Sequence, residues 1–170
     1  CIFPFEQEWF ESRLVNVNYV GHPFSEIDRL KSEKQKFFNK HGLGDSDKIL
    51  TLLPGSRQQE IDRHWPVFIE TVKALRLEIP NLKIIVGKAS GVIIPKLIPE
   101  LLIEDDDIPA AMAHATAALT ASGTATLECA VLDTPEVVCY KLSPLSDIIA
   151  KKLNKAPFAA MVNLIAGREI

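Results

Sequence analysis

The stretch "KILTLLPGSRQQEI" (residues 48–61) joins a continuous apolar run to a tight turn and then to the start of an amphipathic segment. A strand buried on both faces of a parallel sheet has this kind of run, and the turn that follows is typical of a helix start. The pattern recurs, which predicts strands at 17–20, 48–53, 82–87, 115–120 and 136–142 and helices at 26–39, 58–77 and 125–132. The sequence therefore predicts an α/β fold, a Rossmann-like parallel sheet with helices on both faces.

Residues 88–109 interrupt the alternation, because they contain three prolines and the acidic run 104–107. We expect a loop with a short helix in this region. The acidic run is interpreted as a solvated turn and not as a metal site, since four adjacent carboxylates cannot all face one ion.

The composition describes a globular chain that buries its own core, with 47% hydrophobic and 24% charged residues among 170. We expect a single domain over 1–170, cut from a longer protein. A net charge of -3 gives no basic surface for nucleic acid. The three cysteines have neither paired spacing nor a CxxC pattern, which favours a reducing cytoplasm. The sequence contains no stretch of about 18 apolar residues, so no membrane span is predicted. No cofactor or metal site is predicted either.

Two loops follow predicted strands at the positions where ligands bind in an open parallel sheet. In the first, Gly55 allows close approach of backbone N–H groups, Ser56 is suited to cap the next helix, and Arg57 carries a planar cation. These features indicate an anion clamp at a helix amino terminus. The alternative is a capped turn whose arginine pairs with a surface carboxylate.

The second loop, "LTASGTATLE" (residues 119–128), contains Ser122, Gly123 and Thr124 before a helix that carries Glu128. Its N–H groups and hydroxyls favour a phosphate, and a carboxylate one turn further along suits the paired hydroxyls of a ribose. An ordinary capped turn is the alternative. Together the two loops predict a nucleotide site, although neither GxxxxGK[ST] nor a GxGxxG that follows a strand is present.

Six segments resemble those of the lipid-A-disaccharide synthases, inverting glycosyltransferases of the two-domain Rossmann-like (GT-B) class. They are "FPFEQEWF", "VGHPF", "LLPGSRQQEI", "ASGTATLE", "VVCYKLSPLSDIIAKKL" and "NLIAGREI", and they occur in the family's order. The resemblance covers residues 1–87 and 108–170. The chain departs from the family pattern at Val162, where proline is usual, and at Asp133, Thr134 and Glu136, where glycine, valine and methionine are usual.

The resemblance implies a peripheral enzyme at the cytoplasmic face of the Gram-negative inner membrane. Such an enzyme transfers diacylglucosamine from a UDP-linked donor to the lipid acceptor diacylglucosamine 1-phosphate, which gives a β-1,6-linked disaccharide and UDP. This chain resembles the carboxyl-terminal half, which binds the donor.

The positions that match the family's motifs imply these donor-site residues in this chain: Gly55, Ser56 and Arg57 beside the phosphates, Ser122, Gly123 and Thr124 in the phosphate-facing loop, Glu128 at the ribose, and Asn163, Arg168 and Glu169 close to the donor. The general base and the acceptor site are expected in the absent amino-terminal domain, so no catalytic residue is assigned.

Two other interpretations remain open. The UDP-N-acetylglucosamine 2-epimerases and another GT-B glycosyltransferase, that of peptidoglycan precursor synthesis, share the SGT-type loop and the ribose acid, but not the "NLIAGRE" ending. The chain could also be a UDP-binding module without chemistry of its own, which for the isolated half is our own expectation.

Overall fold

The computed structural model describes residues 1–26, 34–95, 98–121, 123–141 and 161–168. Within these residues the helices are α1 (Pro4–Glu11), α2 (Lys34–His41), α3 (Gln58–Glu78), α4 (Ile108–Ala113), α5 (Thr124–Val131) and α6 (Met161–Ala166), with a 3-10 turn at Pro23–Glu26. The strands are β1 (Ile49–Leu53), β2 (Lys83–Gly87), β3 (Leu101–Glu104), β4 (Ala117–Ala121) and β5 (Glu136–Cys139).

The strands form one parallel sheet in the order β3-β2-β1-β4-β5, so the predicted fold class is confirmed. All five residues of β1 are buried, because the central strand is covered on both faces. Leu50 and Leu52 pack with α3 residues such as Trp65 and Phe68. Ile49, on the opposite face, packs with Phe37 and Phe38 of α2.

Helix α3 begins at the predicted residue and ends within one residue of the prediction, and α5 begins one residue earlier than predicted. The predicted helix at 26–39 appears as α2 over Lys34–His41, while 27–33 lie outside the described residues. Strand β5 ends at Cys139 instead of 142, and residue 142 also lies outside them.

The strand predicted at 17–20 is wrong, because these residues pair with no strand in the part of the chain that the structure describes. Their hydrogen bonds go to the first residue of the chain: Val20 N–H donates to the Cys1 carbonyl, and the Cys1 amino group donates to the Asn18 carbonyl. Val20 is 76% exposed. The local β propensity of this segment is therefore not matched by a neighbouring strand or a buried face.

The interpretation of 88–109 as a loop with a short helix missed strand β3. Its four residues pair in parallel with β2 at the sheet edge, and α4 follows from Ile108. The expected solvated turn is also wrong for Glu104, whose side chain is fully buried. Its carboxylate accepts hydrogen bonds from Lys40 Nζ (2.9 Å) and from the backbone N–H of Asp107 (2.8 Å), and lies 2.7 Å from His41 Nε2.

The departures from the family pattern near β5 have local structural explanations. Asp133 ends α5 with φ 54°, a left-handed conformation that glycine and, less readily, aspartate adopt. Thr134 Oγ1 donates to the Met112 carbonyl (2.8 Å), and Glu136 accepts a hydrogen bond from Thr120 Oγ1 (2.9 Å). Each buried hydroxyl therefore has a partner.

No helix in the described part of the chain combines the length and apolar character needed to cross a membrane.

Candidate functional site

A cleft of about 390 Å³ opens at the carboxyl ends of β1 and β4. These strands are neighbours at the centre of the sheet, and the chain leaves them toward opposite edges, so the cleft lies at the topological switch point. Its lining brings together six of the predicted site residues: Gly55, Ser56, Arg57, Gly123, Thr124 and Glu128. The prediction that both loops lie at one edge of the sheet is confirmed for these residues, while Ser122 lies outside the described residues.

The first loop makes a sharp turn at Gly55, where φ is 126°. A Cβ atom at this position would lie 2.7 Å from both Cβ and Oε2 of Glu60. Only glycine therefore permits both the backbone conformation and the close approach of Glu60. The 21-residue helix α3 begins directly after Arg57, which directs its amino terminus into the cleft.

The Glu60 carboxylate accepts hydrogen bonds from the N–H groups of this loop. Its Oε2 accepts hydrogen bonds from the backbone N–H groups of Ser56 (3.0 Å) and Arg57 (3.2 Å), while Oε1 accepts one from Arg57 Nη1 (3.0 Å). Arg57 and not Ser56 is the N-cap residue, so the expectation that Ser56 caps α3 is wrong. Arg57 pairs with a carboxylate, as the capped-turn alternative stated, and its side chain nevertheless remains 80% exposed at the cleft.

The second loop turns at Gly123, the N-cap residue of α5. Thr126 closes the first turn, because its hydroxyl donates to the Gly123 carbonyl (2.8 Å). Thr124 is exposed, and Glu128 is half-buried one turn further along the helix. Both line the cleft. A hydroxyl, a helix amino terminus and a carboxylate therefore face the same space as Arg57.

Two residues that support the cleft were missed by the sequence analysis. A Cβ atom at Gly87 would lie 2.6 Å from Leu53 Cδ2, so a larger residue where β2 ends at the cleft would displace the Leu53 side chain. His64 is 1% exposed and connects two segments: its Nδ1 lies 3.0 Å from the Pro54 carbonyl, and its Nε2 accepts a hydrogen bond from Lys141 N–H (3.1 Å). His64 therefore fixes the loop before Gly55 to the chain after β5.

The cysteine beside Glu128 offers no nucleophile. Cys129 is fully buried, and burial followed by the nearby carboxylates of Glu136 and Glu128 raises the pKa of its thiol to about 12. The thiolate, which is the reactive form, is therefore absent at neutral pH.

Asn163 and Arg168, two of the predicted residues near the end of the chain, do not line the cleft. Asn163 on α6 lines a second cavity of about 600 Å³ beside β5, together with Glu136 and Val137. Its Oδ1 is buried and has no hydrogen-bond partner among the described residues. Arg168 is exposed after α6, and Glu169 lies outside the described residues.

The family model described as lipid-A-disaccharide synthetase matches residues 1–170. The chain is 38% identical to a lipid-A-disaccharide synthase of Granulibacter bethesdensis, with 100% of this chain and 45% of that protein covered. It is 37% identical to that of Gluconobacter oxydans, with 100% and 43% covered, and 38% identical to that of Solibacter usitatus, with 100% and 46% covered. The chain thus spans a little under half the length of these curated relatives. On the family match over its whole length and on these identities, the chain belongs to the lipid-A-disaccharide synthetase family.

Proposed function

We propose that this chain is the donor-binding part of an inverting glycosyltransferase of lipid A biosynthesis. The complete enzyme transfers a diacylglucosamine unit from its UDP-linked donor to diacylglucosamine 1-phosphate, and the products are the β-1,6-linked disaccharide and UDP. The proposal combines the chain's family with the chemistry of the cleft.

One observation carries the proposal: the loop of Gly55, Ser56 and Arg57 and the loop of Gly123 and Thr124 face one cleft at the switch point of a parallel sheet. Two helix amino termini and an exposed guanidinium supply positive charge to this space. A carboxylate, Glu128, lies one helical turn behind the second loop. This arrangement suits a nucleoside diphosphate, because its phosphates bind positively charged groups and its ribose hydroxyls donate hydrogen bonds to a carboxylate.

Chemically, the cleft would act on the leaving group. When the bond between the sugar and the diphosphate breaks, negative charge develops on the departing UDP. Arg57 and the amino termini of α3 and α5 lie at the cleft where this charge develops, and their positive charge would stabilise it. Glu128 holds the ribose through charge-assisted hydrogen bonds to its hydroxyls.

The remaining assignments rest on the family motif. Ser122 belongs to the phosphate-facing loop, and Asn163, Arg168 and Glu169 are assigned close to the donor on the motif alone, because neither Asn163 nor Arg168 lines the cleft. The acceptor, the general base and contact with the cytoplasmic face of the inner membrane are assigned to the part of the family's length that this chain does not span.

The donor assignment is tested by calorimetric titration of this chain with UDP and with uridine. Arg57→Ala is expected to weaken the binding of UDP by about 2 kcal/mol, roughly thirtyfold in affinity, because hydrogen bonds to charged groups contribute about that much. The same substitution should leave uridine almost unchanged, since uridine has no phosphate. Glu128→Gln should weaken both ligands about tenfold, because both carry the ribose.

Lys73→Ala provides a matched control, since Lys73 is an exposed cation on the same helix as the first loop and lies outside the cleft. It should alter neither affinity. Equal weakening of UDP and uridine by Arg57→Ala, or no effect of Glu128→Gln on either ligand, would show that the two loops are ordinary capped turns.

A further inference from the structure

The amino-terminal loop of α3 already holds an anion that belongs to the chain. The Glu60 carboxylate receives both backbone N–H groups of Ser56 and Arg57 and one guanidinium N–H group. These are the donors that a phosphate oxygen would use at a helix amino terminus. Glu60 is 29% exposed and lines the cleft, so its negative charge faces the space assigned to the diphosphate.

This contact is built into the loop. Gly55 has no side chain where Glu60 packs, and a Cβ atom there would lie 2.7 Å from the carboxylate oxygen Oε2. Glu60 stands at the third position of α3, where a carboxylate caps free N–H groups. Ser56 and Arg57 themselves also line the cleft, and one guanidinium nitrogen of Arg57 is bonded to Glu60.

The charge of Glu60 distinguishes two kinds of diphosphate. In a nucleotide sugar both phosphates are esterified, and each carries a single negative charge. In UDP the terminal phosphate carries no ester, and its second ionisation has a pKa of about 6, so it carries an additional charge at neutral pH. A fixed carboxylate beside this phosphate therefore opposes UDP more strongly than it opposes a nucleotide sugar.

We infer that Glu60 is a specificity residue of the diphosphate site: it holds Arg57 and the loop N–H groups, and its charge favours the esterified diphosphate of the donor over the free diphosphate of the product. The inference rests on the proposed function. Its consequence is that UDP, once formed, leaves the site more readily than the donor does.

The test compares UDP with UDP-N-acetylglucosamine, a water-soluble probe with an esterified diphosphate, by calorimetry at pH 7.5. Glu60→Gln is expected to increase the affinity for UDP about fivefold, since two unit charges about 4 Å apart in water interact by roughly 1 kcal/mol. The affinity for UDP-N-acetylglucosamine should increase by less, so the ratio of the two affinities changes. Uridine affinity should remain unchanged.

Asp62→Asn is the matched control, because Asp62 is an exposed carboxylate on the same helix that pairs with Gln58 and not with the loop. It should leave the ratio unchanged, whereas Glu60→Asp, which keeps the charge, should stay close to the unmodified chain. Glu60→Ala is a second neutral variant, measured if Glu60→Gln does not fold, and it should shift the ratio in the same direction.

An unchanged ratio, or a ratio that shifts in favour of UDP-N-acetylglucosamine after Glu60→Gln, would overturn the inference. Failure of the proposed function gives a different result, since the unmodified chain would then bind neither UDP nor UDP-N-acetylglucosamine.

Discussion

The purified chain is expected to form no lipid A disaccharide when it is supplied with the UDP-linked diacylglucosamine donor and diacylglucosamine 1-phosphate. The two carboxylates of the cleft already have assigned roles, because Glu60 holds the first loop and Glu128 is assigned to the ribose. General-base catalysis contributes roughly 10²–10⁴-fold, and orientation of the acceptor contributes still more. Both are assigned to the part of the family's length that the chain does not span.

The assay follows disaccharide formation by mass spectrometry, with the lipid-A-disaccharide synthase of Granulibacter bethesdensis as the active control. The Arg57→Ala variant controls for traces of a host enzyme, because activity from a contaminant would persist in that variant. Disaccharide formation by the chain that disappears in Arg57→Ala would contradict the expectation and would place a complete active site within these 170 residues.

Glu104→Gln is expected to lower the free energy of unfolding at pH 7 by about 2 kcal/mol, since the buried carboxylate loses its charge-assisted hydrogen bonds. Glu104 is fully buried and interacts with Lys40 and His41 of α2. Burial alone would raise the pKa of Glu104. Hydrogen bonds from Asp107 N–H, Lys40, His41 and Asp106 N–H outweigh it and hold the pKa at about 2.

The pH dependence follows from the direction of this shift. Because the folded-state pKa lies below the ordinary value of 4.5, the carboxylate stabilises the fold above about pH 4.5, and this contribution is lost as the pH falls toward 2. Urea unfolding at several pH values should therefore show a difference between the unmodified chain and Glu104→Gln that shrinks between pH 5 and pH 3.

Asp105→Asn serves as the control, because Asp105 is a half-exposed carboxylate whose Oδ2 lies 3.4 Å from Lys88 Nζ in a surface ion pair. Its effect should stay within about 1 kcal/mol, as for other surface pairs. Equal stabilities of Glu104→Gln and the unmodified chain at pH 7, or a difference that does not depend on pH, would refute the role assigned to Glu104.

The centre of the sheet could be predicted from the sequence because its signals are local. β1 and β4 are short apolar runs, and each is followed by a glycine-containing turn and a helix start. The carboxyl ends of neighbouring parallel strands must share one edge, so the meeting of the loops at Gly55 and Gly123 also followed from the sequence.

The edge of the sheet could not be predicted in the same way. β3 has only four residues, and its pairing with β2 defines it as a strand. Prolines and acidic residues around it favour a loop when the sequence is considered alone. The segment 17–20 shows the converse, because its two valines favour a strand, yet none of the segments that the structure describes pairs with it.

The supporting residues of the cleft differ in how visible they are in the sequence. Glu60 had a readable signal, since a carboxylate at the third position of a helix is typical of a capping box. His64 had none, because its hydrogen bond to Lys141 joins residues 77 positions apart. Contacts of this kind depend on the three-dimensional packing of α3 against the sheet.

The most direct test of the central claim, that the cleft between β1 and β4 binds UDP, is a titration of the isotope-labelled 18.8 kDa chain followed by amide NMR. The account predicts that UDP shifts the signals of Ser56, Arg57, Gly123 and Thr124 most, while Val137, beside the second cavity, is unaffected. Shifts centred on the second cavity, or no shifts at saturating UDP, would contradict it.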